Sequence, residues 1–127
     1  MCQHRFYICK HCGNIVGMIH NAGVPIVCCG EPMAELIPGS VDASQEKHVP
    51  VIAKEGDLVT VSIGSAPHPM TEEHSIQWVY LETTSGGQRK CLKPGDDPKV
   101  TFALCPGDQA VAAYAYCNLH GLWKAEA

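Results

Sequence analysis

Residues 58–63 read LVTVSI and residues 99–104 read KVTFAL, and these two stretches decide the fold class. In both, apolar side chains occupy every second position, as in a strand with one buried and one solvated face. Three further short segments are rich in Val, Ile, Thr and aromatic residues, namely 49–53, 75–82 and 110–117. Turn sequences separate the segments: KEGD, SGGQ, KPGDDP and CPGD. Five short strands without a helix of normal length predict an all-β protein whose larger part is an antiparallel β-sandwich.

Length, charge and cysteine content limit the class of protein. The 127 residues are sufficient for one ordinary domain plus a very small one. A net charge of −4 with 17% charged residues argues against a nucleic-acid-binding surface. No segment approaches the ~20 apolar residues of a membrane span, and the first residues lack a signal-peptide layout, so we expect a cytoplasmic protein. Eight cysteines in such a compartment favour metal binding over disulfides.

The chain is predicted to divide at residue 36. Residues 1–36 hold five of the eight cysteines. Below ~40 residues a segment buries too little apolar surface to fold without a metal or a crosslink. The sequence IPGS at 37–40 indicates a turn and a hinge. We therefore predict a small metal-bound domain over 1–36 and a sandwich domain over 37–127.

Four cysteines of the first part have the spacing of a metal site. Cys9 and Cys12 form a C-x-x-C pair followed by glycine, and Cys28 and Cys29 are adjacent and also followed by glycine. Four thiolates form a tetrahedral site that selects iron or zinc. A structural zinc ribbon remains an alternative, because spacing alone does not choose the metal. Two ligands on neighbouring residues predict a distorted half of the tetrahedron.

All four histidines of the second part lie in predicted loops or at strand edges. His48 precedes the first predicted strand, His68 and His74 lie in one loop, and His120 follows Cys117 at the end of the last strand. A sandwich collects its loops at two ends, so these side chains are predicted to converge. The alternative is that they are ordinary solvated loop residues.

The donor set of this second site indicates chemistry at a metal. Four imidazoles and one thiolate are too many ligands for a tetrahedral structural zinc, and blue-copper sites use two His and one Cys. Five ligands leave a sixth position for a small molecule, which favours iron. An axial thiolate pushes electron density to the metal, as it does in haem proteins.

Five motifs together resemble the desulfoferrodoxin family of two-iron superoxide reductases. The first part resembles the desulforedoxin module through CKHC and VCCGEPM. The second part resembles the catalytic domain through EKHVPVI, HPMTEEHSIQWVYLET and YCNLHGLW. The motifs occur in the family's order over nearly the full length. The resemblance implies a desulforedoxin-like domain followed by an immunoglobulin-like sandwich.

The resemblance also implies two iron ions per chain. One would be held as an FeS₄ centre by Cys9, Cys12, Cys28 and Cys29. The other would have Cys117 as axial ligand and four equatorial histidines: His48, His68, His74 and His120. The family's ferrous centre gives one electron to superoxide, two protons are added, and hydrogen peroxide leaves.

A Glu-Lys pair precedes the first histidine ligand in the family, and here it is Glu46 and Lys47. The resemblance implies that Lys47 attracts the anion and helps its protonation, and that Glu46 closes over the ferric iron after turnover. Without the family, an ordinary solvated ion pair would explain both residues. In an acidic chain, a lysine beside the metal supplies the positive spot that an anionic substrate needs.

The family also implies an external electron donor, such as rubredoxin or an NAD(P)H-linked reductase, and a homodimer. Two other readings remain: a non-enzymatic electron carrier with two irons, and a zinc-ribbon binding module whose loop histidines bind nothing. Trp78 and Trp123 are interpreted as core or pocket-wall residues. The remaining cysteines are predicted to be free thiols: Cys2, Cys91 and Cys105. A disulfide between Cys91 and Cys105 is left as an alternative.

Overall fold

The computed structural model describes residues 4–127, so the free thiol predicted at Cys2 lies outside the described residues. The chain divides into two compact units, one ending at Ile37 and the other running from Pro38 to Ala127. They are called here the N-terminal unit and the C-terminal unit. Across residues 4–127, no helix has the length and apolar character needed to cross a membrane.

The N-terminal unit consists of short strands and turns. A three-stranded antiparallel sheet has the order β2-β1-β5, and β3 and β4 form a separate hairpin. Phe6 and Cys9 are its buried apolar residues among those described. The strands are β1 (Arg5–Ile8), β2 (Ile15–Met18), β3 (Val27–Cys28), β4 (Glu31–Pro32) and β5 (Ala34–Glu35).

The C-terminal unit is an immunoglobulin-like sandwich of two antiparallel sheets. One sheet has the order β10-β7-β6 and the other β12-β11-β8-β9. A single-turn helix, α1 (Gln45–His48), precedes the first strand. The strands are β6 (Pro50–Glu55), β7 (Leu58–Ile63), β8 (Ile76–Thr83), β9 (Gly86–Cys91), β10 (Lys99–Ala103), β11 (Ala110–Cys117) and β12 (Gly121–Glu126). The predicted all-β fold class is confirmed.

The core of the sandwich comes from the alternating residues noted in the sequence. Val59, Val61 and Ile63 of β7 face inward, and Val100 and Phe102 pair with them from β10. The opposite sheet contributes inward-facing residues of β8 and β11, including Val79, Leu81, Ala113, Ala115 and Cys117. Burial of these apolar side chains stabilises the unit.

Two strands of the C-terminal unit were missed by the sequence analysis, and one predicted turn was wrong. SGGQ at 85–88 was predicted as a turn, but the turn is Thr84–Ser85 and Gly86 already begins β9. β9 is an edge strand with sequence GGQRKC and no apolar alternation, so the period-2 signal is absent. A Cβ on Gly87 would collide with the Tyr80 hydroxyl, so this glycine permits close strand packing. β12 was missed because the pattern of GLWKAE is similarly weak.

Strand pairing brings the ends of five strands to one end of the sandwich. Pro50 pairs with Ile63, so the start of β6 lies beside the end of β7. Cys117 pairs with Ile76 and with Gly121, so the end of β11 lies beside the starts of β8 and β12. The segments that carry the predicted histidines adjoin these strand ends.

Candidate metal centres

The five predicted donors of the C-terminal unit converge at this end. The side-chain donor atoms of His48, His74, Cys117 and His120 all lie within 4.8 Å of one another. His68 lies outside that tight set, but its ring centroid is 4.6 Å from those of both His48 and His74. The structure therefore brings together residues that are up to 72 positions apart in the sequence.

The four imidazole rings lie at the corners of an approximate square. Going round it, successive ring centroids are 4.6, 4.6, 5.1 and 4.8 Å apart. Neighbouring rings are nearly perpendicular, with interplanar angles between 77° and 90°. The His48–His74 diagonal is 6.3 Å. This is the arrangement of four nitrogen ligands around one central ion, in the order His48, His68, His74 and His120.

Backbone carbonyl groups select the ring nitrogens that face the centre. The Nδ1 of His48 lies 2.6 Å from the carbonyl oxygen of Ser44, and the Nδ1 of His68 lies 2.7 Å from that of Pro69. Because a carbonyl oxygen only accepts, each Nδ1 carries the proton and donates it. Each Nε2 therefore keeps its lone pair. Metal-ligating histidines are commonly oriented by such bonds.

Two buried nitrogen atoms at this centre have no hydrogen-bond partner: the Nε2 atoms of His68 and His74. Buried polar atoms are rarely left without a partner, because an unpaired group costs free energy. The Nε2 of His48 lies 3.0 Å from the Nδ1 of His120. Two ligands at right angles with bonds of about 2.1 Å would be about 3.0 Å apart. These observations fit a metal ion at the centre of the square.

Burial keeps these donors in the form that binds a metal. It lowers the pKa of His48, His68 and His74, and that of His68 falls to about 4. The rings are therefore neutral near pH 7. The nearby charge of Lys47 also lowers the pKa of His48 and His74, so this lysine adds positive potential at the centre.

Cys117 is fully buried, and its Sγ lies 3.9 Å from the Nδ1 of His120. Burial raises the pKa of the thiol, while the backbone N–H groups of Leu119 and His120 act in the opposite direction. A bound cation removes the proton from such a thiol. The donor set of four imidazoles and one thiolate exceeds what tetrahedral zinc takes, so it suits iron better.

The segment before His48 is fixed through its backbone. The carbonyl oxygen of Glu46 accepts hydrogen bonds from the N–H of Ala66 and the hydroxyl of Ser65. Gly64 has a φ of +83°, and a Cβ there would lie 2.5 Å from the Ala66 carbonyl oxygen and 2.7 Å from that of Glu46. The side chains of Glu46 and Lys47 stay exposed.

The four predicted cysteines of the N-terminal unit also form one group, with their sulfur atoms within 4.8 Å of one another. The Sγ atoms of Cys12 and Cys28 are 3.7 Å apart. A tetrahedron with metal–sulfur bonds of ~2.3 Å has edges of about 3.8 Å. The described cysteines are all free, so no disulfide competes for these sulfurs.

Two turns present the sulfur atoms. At the first, the N–H of Gly13 donates to the carbonyl oxygen of Cys9, and Gly13 has a φ of +85°. At the second, Cys29 and Gly30 link β3 to β4 with φ values of 53° and 77°. Positive φ at both central residues is typical of a tight hairpin turn. Cys29 is the one described non-glycine residue with positive φ.

The pKa values of the cysteine thiols differ, because backbone N–H groups and neighbouring sulfur atoms act on them unequally. The backbone N–H of Cys12 is the main cause that lowers the pKa of Cys9 to about 6. The side chain of Cys9 is the main cause that raises the pKa of Cys29 to about 12, with Cys12 and Cys28 adding to it. A cation among the sulfurs removes this conflict, because each thiolate then interacts with the metal.

Two residues contact the ligand segments of the C-terminal centre: Trp123, which was interpreted as a core or pocket-wall residue, and Asn118, which the sequence analysis did not single out. Trp123 is buried, its ring centroid is 5.0 Å from that of His48, and its Nε1–H donates to the carbonyl oxygen of His120. The position of Trp123, three residues after His120, was the sequence signal that could have indicated this contact. Asn118 bonds to both neighbours of His74. Trp78 is half-buried, lies outside the apolar core and stacks on Tyr116.

The convergence of the histidines argues against the reading in which they bind nothing, because solvated loop side chains would be scattered and exposed. Cys91 and Cys105 are exposed and unbridged, as predicted for free thiols.

Family models match both units. The model described as the desulfoferrodoxin N-terminal domain covers residues 3–36, and the desulfoferrodoxin model covers residues 40–126. This chain belongs to the desulfoferrodoxin family. The desulfoferrodoxin of Nitratidesulfovibrio vulgaris is 49% identical over 125 residues, which cover 98% of each chain. A desulfoferrodoxin homolog of Archaeoglobus fulgidus is 47% identical over 93% of each chain.

A solved structure of similar length supports the fold. The crystal structure of the superoxide reductase from Treponema pallidum matches with a TM-score of 0.84 and 38% identity, covering 98% of both chains. The family resemblance inferred from the five sequence motifs is thereby confirmed.

Proposed function

We propose that this chain is a superoxide reductase that acts at the C-terminal centre. The observation that carries the proposal is the square of four histidine rings with a buried cysteine beside it. The similar protein from Treponema pallidum bears the name superoxide reductase, which is the same oxidoreductase activity. In this reaction superoxide takes up one electron and two protons and leaves as hydrogen peroxide.

We infer one iron ion at each of the two centres. The ligands at the N-terminal centre would be Cys9, Cys12, Cys28 and Cys29. Those at the C-terminal centre would be His48, His68, His74, Cys117 and His120. When bound at the C-terminal centre, iron would supply the single electron, and an external donor would return it.

The residues around the C-terminal centre would control water and ligand orientation. The carbonyl groups of Ser44 and Pro69 hold two imidazole rings in one tautomer, so the site is organised before substrate arrives. His48 and His68 are each only 3% exposed, which keeps bulk water from these donors. A preorganised, weakly hydrated site strengthens electrostatic interactions with an anion.

Lys47 and Glu46 would act on the substrate from the exposed side of α1. Lys47 already influences the pKa of His48 and His74 through its charge, so superoxide approaching the centre would feel the same charge. Its ammonium group would also be a proton donor for the product. Glu46 would close over the oxidised centre by side-chain rotation, since its backbone is held by Ser65 and Ala66.

The domain assignment belongs to the same proposal: residues 1–36 as a desulforedoxin-like FeS₄ domain and 37–127 as the catalytic sandwich. The first centre would stabilise its domain or relay electrons. A rubredoxin-like protein is the proposed electron donor, and a homodimer is the proposed assembly. A cytoplasmic location and a role in superoxide detoxification complete the proposal.

Visible absorption and product stoichiometry test the function. We expect a ferric-tetrathiolate spectrum as isolated and an additional thiolate-to-iron band after mild oxidation. With an electron donor present, one hydrogen peroxide should form per superoxide, whereas a dismutase forms one per two. Cys117→Ser should lose the second band and the activity but keep the first spectrum. A peroxide yield of one half, or activity without the second band, would contradict the proposal.

A further inference from the structure

The turn between Cys117 and His120 contains a side chain that bonds to the loop carrying His74. The Oδ1 of Asn118 accepts a hydrogen bond of 3.0 Å from the N–H of Ser75, and its Nδ2 donates one of 2.9 Å to the carbonyl oxygen of Glu73. The backbone N–H of Asn118 also donates to the carbonyl oxygen of Ser75, at 3.3 Å. These bonds involve the residue before and the residue after His74.

Among the described residues, the other hydrogen bonds of the His74 turn, residues 71–74, stay within the turn. The N–H of Thr71 donates to the carbonyl oxygen of His74, and the N–H of His74 donates to that of Thr71. The Thr71 hydroxyl bonds to the backbone of His74 as well. These bonds shape the turn, but they do not fix its position relative to Cys117 and His120.

The β-ladder is irregular at this end, so it constrains the His74 turn less than a regular ladder would. Tyr116 pairs with Trp78, but the next residue, Cys117, pairs with Ile76, which leaves Gln77 as an extra residue. The carbonyl oxygen of Gln77 accepts from Leu92. Such a bulge interrupts the ladder and re-aims the strand. Before Ile76, one backbone bond from the Asn118 N–H to the Ser75 carbonyl oxygen remains, and the Asn118 side chain supplies two more.

We propose that Asn118 is a positioning residue that holds the imidazole of His74 in register with Cys117 and His120. An asparagine amide carries one acceptor and one donor, which match one N–H and one C=O on either side of His74. Aspartate keeps the acceptor and lacks the donor, and alanine lacks both. The inference rests on the proposed metal centre, since holding His74 matters when its Nε2 must meet a metal ion.

The test measures loss of iron from the full-length, iron-loaded protein to a strong chelator. The thiolate-to-iron band reports the C-terminal centre, and the ferric-tetrathiolate bands report the N-terminal centre in the same sample. Asn118→Ala should release C-terminal iron at least about tenfold faster than the unchanged protein, as loss of an outer-shell partner commonly does. N-terminal iron should be released at the unchanged rate.

Asn118→Asp keeps the bond from Ser75 and places an oxygen against the Glu73 carbonyl oxygen. It should fold, because the N–H of Ser75 remains satisfied, yet lose C-terminal iron faster and show a shifted thiolate-to-iron band. Retention of iron and band position in both variants would overturn the proposal.

A matched control exists at the opposite end of the same strand pair. The carboxylate of Asp108 accepts from the Thr84 hydroxyl, the Ser85 hydroxyl and the Ser85 N–H, where Ala110 pairs with Thr83. Asp108→Ala should lower the thermal midpoint of the C-terminal unit and leave iron release unchanged. If it accelerates release as much as Asn118→Ala, the effect is general destabilisation and the proposal is wrong.

Failure of the proposed function would look different. The unchanged protein would hold C-terminal iron and would not reduce superoxide, while the effect of Asn118 on iron release would still be measurable.

Discussion

The two centres of this chain are built in opposite ways. The four sulfur donors of the N-terminal centre lie between Cys9 and Cys29, on two turns that face solvent for the most part. The five donors of the C-terminal centre lie between His48 and His120, and the pairing of five strands brings them together. The first centre is local in sequence, and the second is a product of the completed fold.

This difference predicts which unit depends on its metal. Phe6 and Cys9 are the buried apolar side chains described in the N-terminal unit, and one of them is a donor. The C-terminal unit has a continuous core on both sheets, in which Cys117 is one member among many. In the small unit the metal replaces a hydrophobic core, whereas in the sandwich the core creates the metal site.

The largest expected effect follows from complete metal removal under reducing conditions at pH 7. The N-terminal unit should unfold, because structural tetrathiolate sites contribute on the order of 10 kcal/mol to folding. The C-terminal unit should stay folded. Two-dimensional amide NMR of the metal-free chain checks this. The amide signals of residues 4–36 should move to random-coil chemical shifts, while the signals of β7 and β11 should stay dispersed. Dispersed N-terminal signals without metal would break the comparison.

Gly64→Ala should produce the next largest effect, on the segment that carries His48. Its φ of +83° disfavours any Cβ, and the added atom would meet two backbone oxygen atoms. Strain and overpacking together should lower the free energy of unfolding of the C-terminal unit by about 3 kcal/mol. Thermal or urea unfolding, together with the iron content of the C-terminal centre, measures the change.

Gly107→Ala is the control for this substitution. Gly107 has a φ of +90°, but a Cβ there would meet nothing within 4 Å. Only the conformational cost of about 1 kcal/mol remains. If the two variants lose the same free energy of unfolding, the close contact of residue 64 with α1 does not contribute to the effect.

The contrast between the centres also explains what could be predicted from the sequence. Cys9, Cys12, Cys28 and Cys29 follow a local spacing rule, so the four-sulfur group could be predicted without knowing the fold. The alternating patterns of β7 and β10 gave the sandwich for the same reason. β9 escaped prediction because its glycines resemble a turn, and their role depends on the Tyr80 side chain across the sheet.

The residues that form the C-terminal centre could be predicted from the sequence, but their arrangement in space could be predicted only in part. Their loop positions suggested convergence, and the family motifs supplied their roles. The square of rings, the carbonyl groups of Ser44 and Pro69, and the bonds of Asn118 depend on strand register and on the bulge at Gln77. Tertiary contacts between residues distant in the chain leave no periodic signal.

The pH dependence of the metal-free C-terminal unit should reveal its buried imidazoles. Burial lowers the pKa of His68 from 6.5 to about 4, so the folded state favours the neutral ring. Between these values the unfolded chain binds a proton that the folded chain does not, so stability should fall as the pH falls from 6.5 towards 4. Urea unfolding at several pH values measures the slope, and His68→Gln should flatten it. An unchanged slope would mean that His68 is not held neutral by burial.

The smallest expected effect concerns Lys47, which belongs to the exposed rim of the otherwise buried centre. Replacing it with alanine removes a positive charge near His48 and His74, so the second-order rate constant for superoxide should fall by roughly tenfold at low ionic strength. The difference should shrink as salt is added, because salt screens exposed charges. Pulse radiolysis at several salt concentrations gives both quantities.

Lys54→Ala is the matched control, since Lys54 is also exposed but lies near the far end of β6. If both substitutions slow the reaction equally, the net charge of the protein alone attracts superoxide. If only the Lys47 substitution slows it, the position of this charge beside the buried centre is what attracts the substrate.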